Sequence, residues 1–199
     1  MDEYVKSVRD DLKESVSFFG NRGRQDREVW VLKEFLKYLP ADIQDSDIQG
    51  SYIEPNDAFY KDIGFQVKEI QTEERKRGKE YKEKLSNIND ETKPEHFLEH
   101  YSSIHIPLSE ALPRVGSELE RHRKEKYRNN TNNMNVLVYL NLSDTTYTNA
   151  AVDTSLIDRE LANWQSVSLV TNNCSIVLSC NDSSNKLLKP LVGKLYVKN

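Results

Sequence analysis

Apolar residues recur every three or four positions in two stretches near the N-terminus, and this spacing predicts two amphipathic helices. The first helix covers residues 1–19 and the second runs from about residue 25 to 39, ending before Pro40. Farther along, two β-like runs at 58–61 and 65–70 flank a turn-forming Asp62-Ile63-Gly64, which predicts a β-hairpin.

The rest of the chain alternates between helical and strand-like patterns. The apolar run at 135–142 is typical of a central strand. Helices are expected at 72–85, at 94–101, from about 104 to 128 and at 153–164, and further strands at 166–170, 175–179 and 194–198. Apart from the short helical piece at 94–101 and the last strand at 194–198, the order is α-α-β-β-α-α-β-α-β-β. This order predicts an α/β or α+β fold, with a mixed β-sheet flanked by helices.

Composition narrows the class of protein. The 199 residues contain 32 acidic and 28 basic side chains, a formal net charge of −4, which excludes a basic field over the whole molecule. Any nucleic-acid contact must therefore come from a local patch. No stretch approaches the roughly 18 to 20 apolar residues of a membrane helix. The acidic N-terminus is unlike a signal peptide, and Cys174 and Cys180 make no disulfide framework, so we expect a cytoplasmic protein with no membrane contact and reduced thiols.

Glu28 is an unusual residue on the second helix. On a helical wheel it lies within about 80° of the apolar residues that form the helix stripe. Those residues are Val31, Leu32, Phe35, Leu36 and Leu39. A carboxylate on a core-facing stripe is costly unless it binds a cation or accepts hydrogen bonds. The alternative is that Glu28 lies in the first turn, near the positive end of the helix, and is partly exposed.

The predicted hairpin places three polar residues on one face. Gln66 and Lys68 are two positions apart and therefore share a face of their strand. If the hairpin loop has an even number of residues, Asp57 lies on that face too, with Lys68 nearly opposite it. The alternative is an ordinary exposed cross-strand pair between Asp57 and Lys68, worth less than about 1 kcal/mol.

Taken in order, Glu28 on a helix, Pro55-Asn56-Asp57 and then Gln66-x-Lys68 resemble the motif of the PD-(D/E)XK nuclease superfamily, in the glutamine form of its Mrr-like branch. The stretches SFFGNRGRQDREVWVLKEFL at 17–36 and EPNDAFYKDIGFQVKEI at 54–70 also resemble a bacterial family described as endonucleases of unknown function. The resemblance implies a restriction-endonuclease-like fold. We therefore expect a single nuclease-like domain over 1–199, with an N-terminal helix at 1–20 and a strand-rich part at 135–199.

The resemblance also implies a chemistry, which is metal-dependent hydrolysis of DNA phosphodiester bonds leaving 5′-phosphate ends. Asp57, the side-chain oxygen of Gln66 and the carbonyl of Val67 would ligate Mg²⁺ or Mn²⁺, and Glu28 would complete the shell directly or through water. Lys68 would hold the attacking water. Here Asn56 interrupts the usual Pro-Asp pair, and Gln66 replaces a carboxylate. The site therefore has one negative charge fewer and should hold its metal more weakly.

Two basic segments are candidates for contact with DNA phosphates. They comprise Arg22, Arg24 and Arg27 before Glu28, and Arg121, Arg123, Lys124, Lys126 and Arg128 on a predicted helix. Two other functions stay open. One is an inactive nuclease fold that binds nucleic acid or a protein. The other is a partner protein that docks, or forms a homodimer, through the helix at 1–19.

Overall fold

The computed structural model describes residues 2–20, 23–72, 75–89, 91–97, 102–148 and 151–197. It divides into two compact units. Unit 1 comprises residues 1–27 and 73–102, and unit 2 comprises residues 28–72 and 103–199. The single nuclease-like domain expected over 1–199 stays a prediction.

Unit 1 is built on two helices, α1 (Glu3–Phe19) and α3 (Arg77–Ser86). Its small core contains Val5 and Leu12 of α1, together with Ile88. A 3-10 turn at Pro94–Phe97 adds Phe97 to this core. The apolar face of α1 is therefore buried inside unit 1, as the face of an amphipathic helix must be for burial to stabilise it.

Helix α2 (Arg24–Lys37) begins in unit 1 and continues into unit 2, which holds a mixed sheet. Among the described residues this sheet has seven strands in the order β1-β2-β3-β5-β7-β8-β9. The strands are β1 (Ile48–Gly50), β2 (Ala58–Tyr60), β3 (Ile63–Gln71), β5 (Asn135–Asn141), β7 (Ser166–Val170), β8 (Cys174–Cys180) and β9 (Leu195–Val197). The centre, β3-β5-β7, is parallel, and both flanks are antiparallel.

Two further strands and two helices complete unit 2. The parallel pair β4 (Ile104–Pro107) and β6 (Thr145–Thr148) forms a separate small sheet. Helix α4 (Leu108–Glu125) follows β4, and the short α5 (Asp158–Leu161) follows a 3-10 turn at Ser155–Ile157.

The two faces of the large sheet are covered by different helices. Successive side chains of a strand point to opposite faces, so β3 sends Phe65 and Val67 to one side and Gln66, Lys68 and Ile70 to the other. The apolar stripe of α2 packs in one core cluster with Phe65 and Val67. The apolar face of α4 packs in a second cluster with Ile70. Gln66 and Lys68 therefore lie on the α4 face of the sheet.

The predicted mixed sheet flanked by helices is confirmed. Strand β5 agrees with the predicted 135–142, and β7 with 166–170. The other element boundaries needed correction. The hairpin turn is Lys61-Asp62, the expected helix at 72–85 begins only at Arg77, and that at 153–164 reduces to the 3-10 turn and α5.

Three short strands were missed, namely β1, β4 and β6, and the start of the helix expected from 104 is strand. Of the helix expected at 94–101, only residues 94–97 are described, as a 3-10 turn. Cys174 and Cys180 are buried free thiols, as expected. No described helix is long and apolar enough to cross a membrane.

Candidate active site

The hairpin of β2 and β3 brings Asp57 and Gln66 together. Tyr60 pairs with Ile63, which leaves a two-residue turn and confirms the even loop. Asp57 directly precedes β2, and its side chain contacts the side chain of Gln66 across the hairpin. Gln66 and Lys68 share a face of β3. The expected place of Lys68 nearly opposite Asp57 stays a prediction.

Asp57 is held by a dense set of hydrogen bonds. Its Oδ2 accepts a hydrogen bond from the backbone N–H of Val67 at 2.8 Å and another from Nε2 of Gln66. Its own backbone N–H donates to the carbonyl of Phe65, and its carbonyl accepts from the N–H of Ser51, both at 2.9 Å. Asp57 is 4% exposed and Gln66 is fully buried. These donors offset the cost of removing the carboxylate from water.

Tyr127, just beyond the end of α4, contacts two of the motif residues. Its hydroxyl donates to Oε1 of Gln66. Its ring lies 5.7 Å from Nζ of Lys68, within the range of a cation–π contact, and 5.2 Å from Nζ of Lys126. The ring also packs edge-on against the buried Trp164, at 5.9 Å between centroids. Sequence reasoning missed Tyr127.

His122, on the last turn of α4, is a second residue that sequence reasoning missed. Its pKa falls from 6.5 to about 4, first because the ring is removed from water and next because Lys68 is positively charged. Arg121 and Lys126 lower this pKa further, whereas Glu118 opposes them. The carbonyl of His122 accepts a hydrogen bond from the backbone N–H of Tyr127, which contacts both Gln66 and Lys68, so the histidine belongs to the surroundings of the site.

Glu28 lies near the start of α2 and is half-buried. The stripe that follows it, including Val31 and Leu32, packs on the sheet face that carries Phe65 and Val67. The wheel therefore identified the core-facing side of α2 correctly. That face is opposite the one bearing Gln66 and Lys68, so the place of Glu28 in a metal shell stays a prediction.

The hairpin residues suit a hard cation. Carboxylate, amide and carbonyl oxygens are the ligands that Mg²⁺ prefers. In an antiparallel pair, the N–H and C=O of one residue point to the same neighbour. Because the N–H of Val67 points to Asp57, its carbonyl faces that side as well. Asp57 and Val67 thus direct one oxygen-bearing group each to the same place, and Gln66 carries a third oxygen, Oε1, which faces the hydroxyl of Tyr127. The described residues hold no cluster of three or more His, Cys, Asp or Glu side chains, so the set is poor in negative charge.

The basic residues at the end of α4 are mostly paired with acids. Arg121 contacts Glu118 at 2.6 Å and also Glu125, whereas Arg123 and Lys124 both contact Glu120. These two partners lower the pKa of Glu120 to about 2. The remaining two candidates are Lys126, which lies 3.6 Å from Glu54, and Arg128, which is exposed.

The N-terminal arginines are placed differently. Arg27 donates to the carbonyls of Phe18 and Gly20, the latter at 2.8 Å, and so holds the end of α1. Arg24 is exposed on the first turn of α2. Arg22 lies outside the described residues. A contact of these residues with DNA stays a prediction.

Comparisons with known proteins give one family and one related structure. The family model described as "Putative endonuclease, protein of unknown function (DUF1780)" matches residues 1–199. A search of curated proteins found no match. A solved structure of a protein of unknown function from Pseudomonas aeruginosa strain PAO1, described as a member of the monooxygenase superfamily, is similar with a TM-score of 0.65 and 20% identity. The similarity covers 100% of this chain and 97% of that one and, at this identity, it supports the fold alone.

Proposed function

Because the chain belongs to this family of putative endonucleases, we propose that it is a metal-dependent deoxyribonuclease whose centre is formed by Asp57, Gln66, Val67 and Lys68. One observation carries the proposal. A buried carboxylate, Asp57, contacts the buried amide of Gln66, and Lys68 follows two positions later on the same face of β3, in the order of the PD-(D/E)XK motif.

In this proposal some residues ligate the metal ion and Lys68 acts on the attacking water. Asp57, the side-chain oxygen of Gln66 and the carbonyl of Val67 hold Mg²⁺ or Mn²⁺, with Glu28 as a further candidate ligand. The bound ion would polarise the scissile phosphate and offset the charge that develops on the leaving oxygen. Lys68, half-buried beside Tyr127, orients the attacking water and favours its deprotonated form.

Burial is what makes these groups effective. A charge in a site from which water is largely excluded interacts more strongly than the same charge in bulk solvent. The hydrogen bonds to Asp57 also fix its carboxylate before the cation arrives, which lowers the entropy lost on binding. Both effects partly compensate for having one carboxylate fewer.

The DNA substrate is supported by the description of the family and by the two basic segments. Arg24 and Arg128 are exposed, and Lys126 lies beside Tyr127. Of these, Lys126 and Arg128 follow α4 closely enough to contact phosphates beside the proposed centre. The ion-paired Arg121, Arg123 and Lys124 would have to exchange their glutamate partners for phosphates.

The test is cleavage of linear and circular DNA by the purified protein with Mg²⁺ or Mn²⁺, compared with Asp57→Ala and Lys68→Ala. Matched controls are Asp62→Ala and Lys194→Ala, which remove the same charges from exposed positions. We expect cleavage by the parent and both controls, and loss of at least about 100-fold in the two site variants.

Two results would oppose the proposal. Equal cleavage by all five proteins would assign the activity to a contaminant. If no protein cleaved DNA or RNA, the alternative of an inactive nuclease fold that binds nucleic acid or a protein would replace this one.

A further inference from the structure

The orientation of the Gln66 amide presents a chemical problem for the proposed centre. Gln66 directs Nε2 toward Asp57 and Oε1 toward the hydroxyl of Tyr127. An amide N–H cannot ligate a cation. A metal held by both Asp57 and Gln66 therefore requires the amide to turn over, so that Oε1 faces Asp57.

Turning the amide changes which hydrogen-bond partner Gln66 requires beside Tyr127. In the present orientation Oε1 accepts a hydrogen bond from the Tyr127 hydroxyl. In the turned orientation Nε2 occupies that place and requires an acceptor. Gln66 is fully buried, so water is a poor substitute. A tyrosine hydroxyl both donates and accepts, and it is therefore matched to either orientation.

The position of the Tyr127 hydroxyl is itself fixed by packing. The ring lies edge-on to Trp164, which is 1% exposed, and the backbone N–H of Tyr127 donates to the carbonyl of His122 at 3.2 Å. The hydroxyl is thus presented to Gln66 by a rigid part of the core, as second-layer partners of metal ligands commonly are.

We propose that Tyr127 is a positioning residue that controls metal binding through the Gln66 amide. It donates to Oε1 in the present orientation of the amide, and it accepts from Nε2 once the amide has turned to offer Oε1 to the cation. This inference rests on the proposed metal centre.

The direction of the effect follows from the two orientations. A buried N–H without an acceptor costs more than a carbonyl with an unused lone pair. Tyr127→Phe removes the acceptor that the turned amide needs, so it disfavours the metal-bound state more than the metal-free one. Gln66→Glu has no N–H to satisfy, and the same phenylalanine change should then have little effect.

The experiment is a double-mutant cycle measured by Mn²⁺ binding, with electron paramagnetic resonance detecting the free ion and no DNA present. The four proteins are the parent, Tyr127→Phe, Gln66→Glu and the double variant, with Tyr38→Phe as a control. We expect Tyr127→Phe to weaken Mn²⁺ binding roughly tenfold in the parent and less than twofold beside Gln66→Glu. The control should match the parent.

A second readout follows the amide directly. The side-chain ¹⁵N resonance of Gln66 should shift when Mg²⁺ is added to the parent, because its partner changes from a carboxylate to a phenol. If the parent binds Mn²⁺ but the cycle shows equal losses in both backgrounds, or no loss, the role of Tyr127 is refuted and the metal centre stands. If the parent binds no Mn²⁺, the metal centre itself fails.

Discussion

Removing the positive charge of Lys68 should raise the pKa of His122. The histidine has its pKa lowered from 6.5 to about 4, first by burial and then by Lys68, Arg121 and Lys126, with Glu118 acting in the opposite direction. Lys68→Met removes the largest of the charge effects and keeps most of the side-chain volume. The pKa of His122 should then move back toward 6.5, without reaching it because burial remains.

The lowered pKa of His122 also makes the free energy of unfolding depend on pH. Because the folded pKa is the lower one, the unfolded chain takes up the proton first as the pH falls. Above about pH 6.5 the protonation of His122 does not affect the free energy of unfolding. As the pH falls from there to about 4, this protonation lowers the free energy of unfolding. At about 1.36 kcal/mol per pH unit, the interval gives at most about 3 kcal/mol. The His122 side chain is 21% exposed, and screening by solvent lowers the expected loss to about 2 kcal/mol.

Two measurements check this reasoning. Titration of His122 by NMR gives its pKa in the parent, in Lys68→Met and in the control Lys194→Met. Urea denaturation at pH 7 and pH 4.5 compares the parent with His122→Gln, with the exposed His105→Gln as control. An ordinary His122 pKa in the parent, or parallel stability losses in the parent and His122→Gln, would refute the lowered pKa of His122. No response of this pKa to Lys68→Met would refute the effect of Lys68 on it.

Three further predictions concern the hairpin and the core. Asp57→Asn should abolish Mn²⁺ binding while the thermal midpoint changes by only about 5 °C, since size is retained; unfolding would instead show a structural role for the carboxylate. Gly64→Ala should weaken Mn²⁺ binding, because the added Cβ would lie 2.5 Å from Cγ of Asn56, which precedes Asp57. Asn56→Ala in the same protein should restore Mn²⁺ binding. If binding is not restored, the clash with Asn56 is not the cause of the loss. Phe35→Ala should lower the free energy of unfolding by about 3 to 5 kcal/mol in urea denaturation, because Phe35 is fully buried against Phe65; a loss below about 1 kcal/mol would contradict the described core.

The sequence predicted those parts of the fold that carry their own apolar pattern. Strand β5 is apolar almost throughout because both of its faces are buried, and α2 has an unbroken stripe. By contrast, β4 and β6 have only four residues each, and they become strands by pairing with each other across 41 positions of sequence, from Ile104 to Thr145. A local pattern cannot contain such a pairing.

The candidate site likewise contains residues that the local spacing of the sequence predicts and residues that only tertiary packing brings together. The period of two in β3 was enough to place Gln66 and Lys68 on one face, and the two-residue turn brings Asp57 to Gln66. Tyr127 is 61 positions from Gln66 and reaches it only because α4 packs over the sheet, so no spacing rule could find it. For Glu28, the wheel identified the buried side of α2 but not the sheet face against which that side packs.

Crystals of the protein soaked in Mn²⁺ would test the proposed centre most directly, through the anomalous scattering of the ion. We expect a peak at about 2.0 to 2.3 Å from a carboxylate oxygen of Asp57, from Oε1 of the turned Gln66 amide and from the carbonyl of Val67. The same soak of Asp57→Asn crystals should show no peak there. A parent structure without Mn²⁺ at this place, or with the ion bound elsewhere while Nε2 of Gln66 still faces Asp57, would contradict the account.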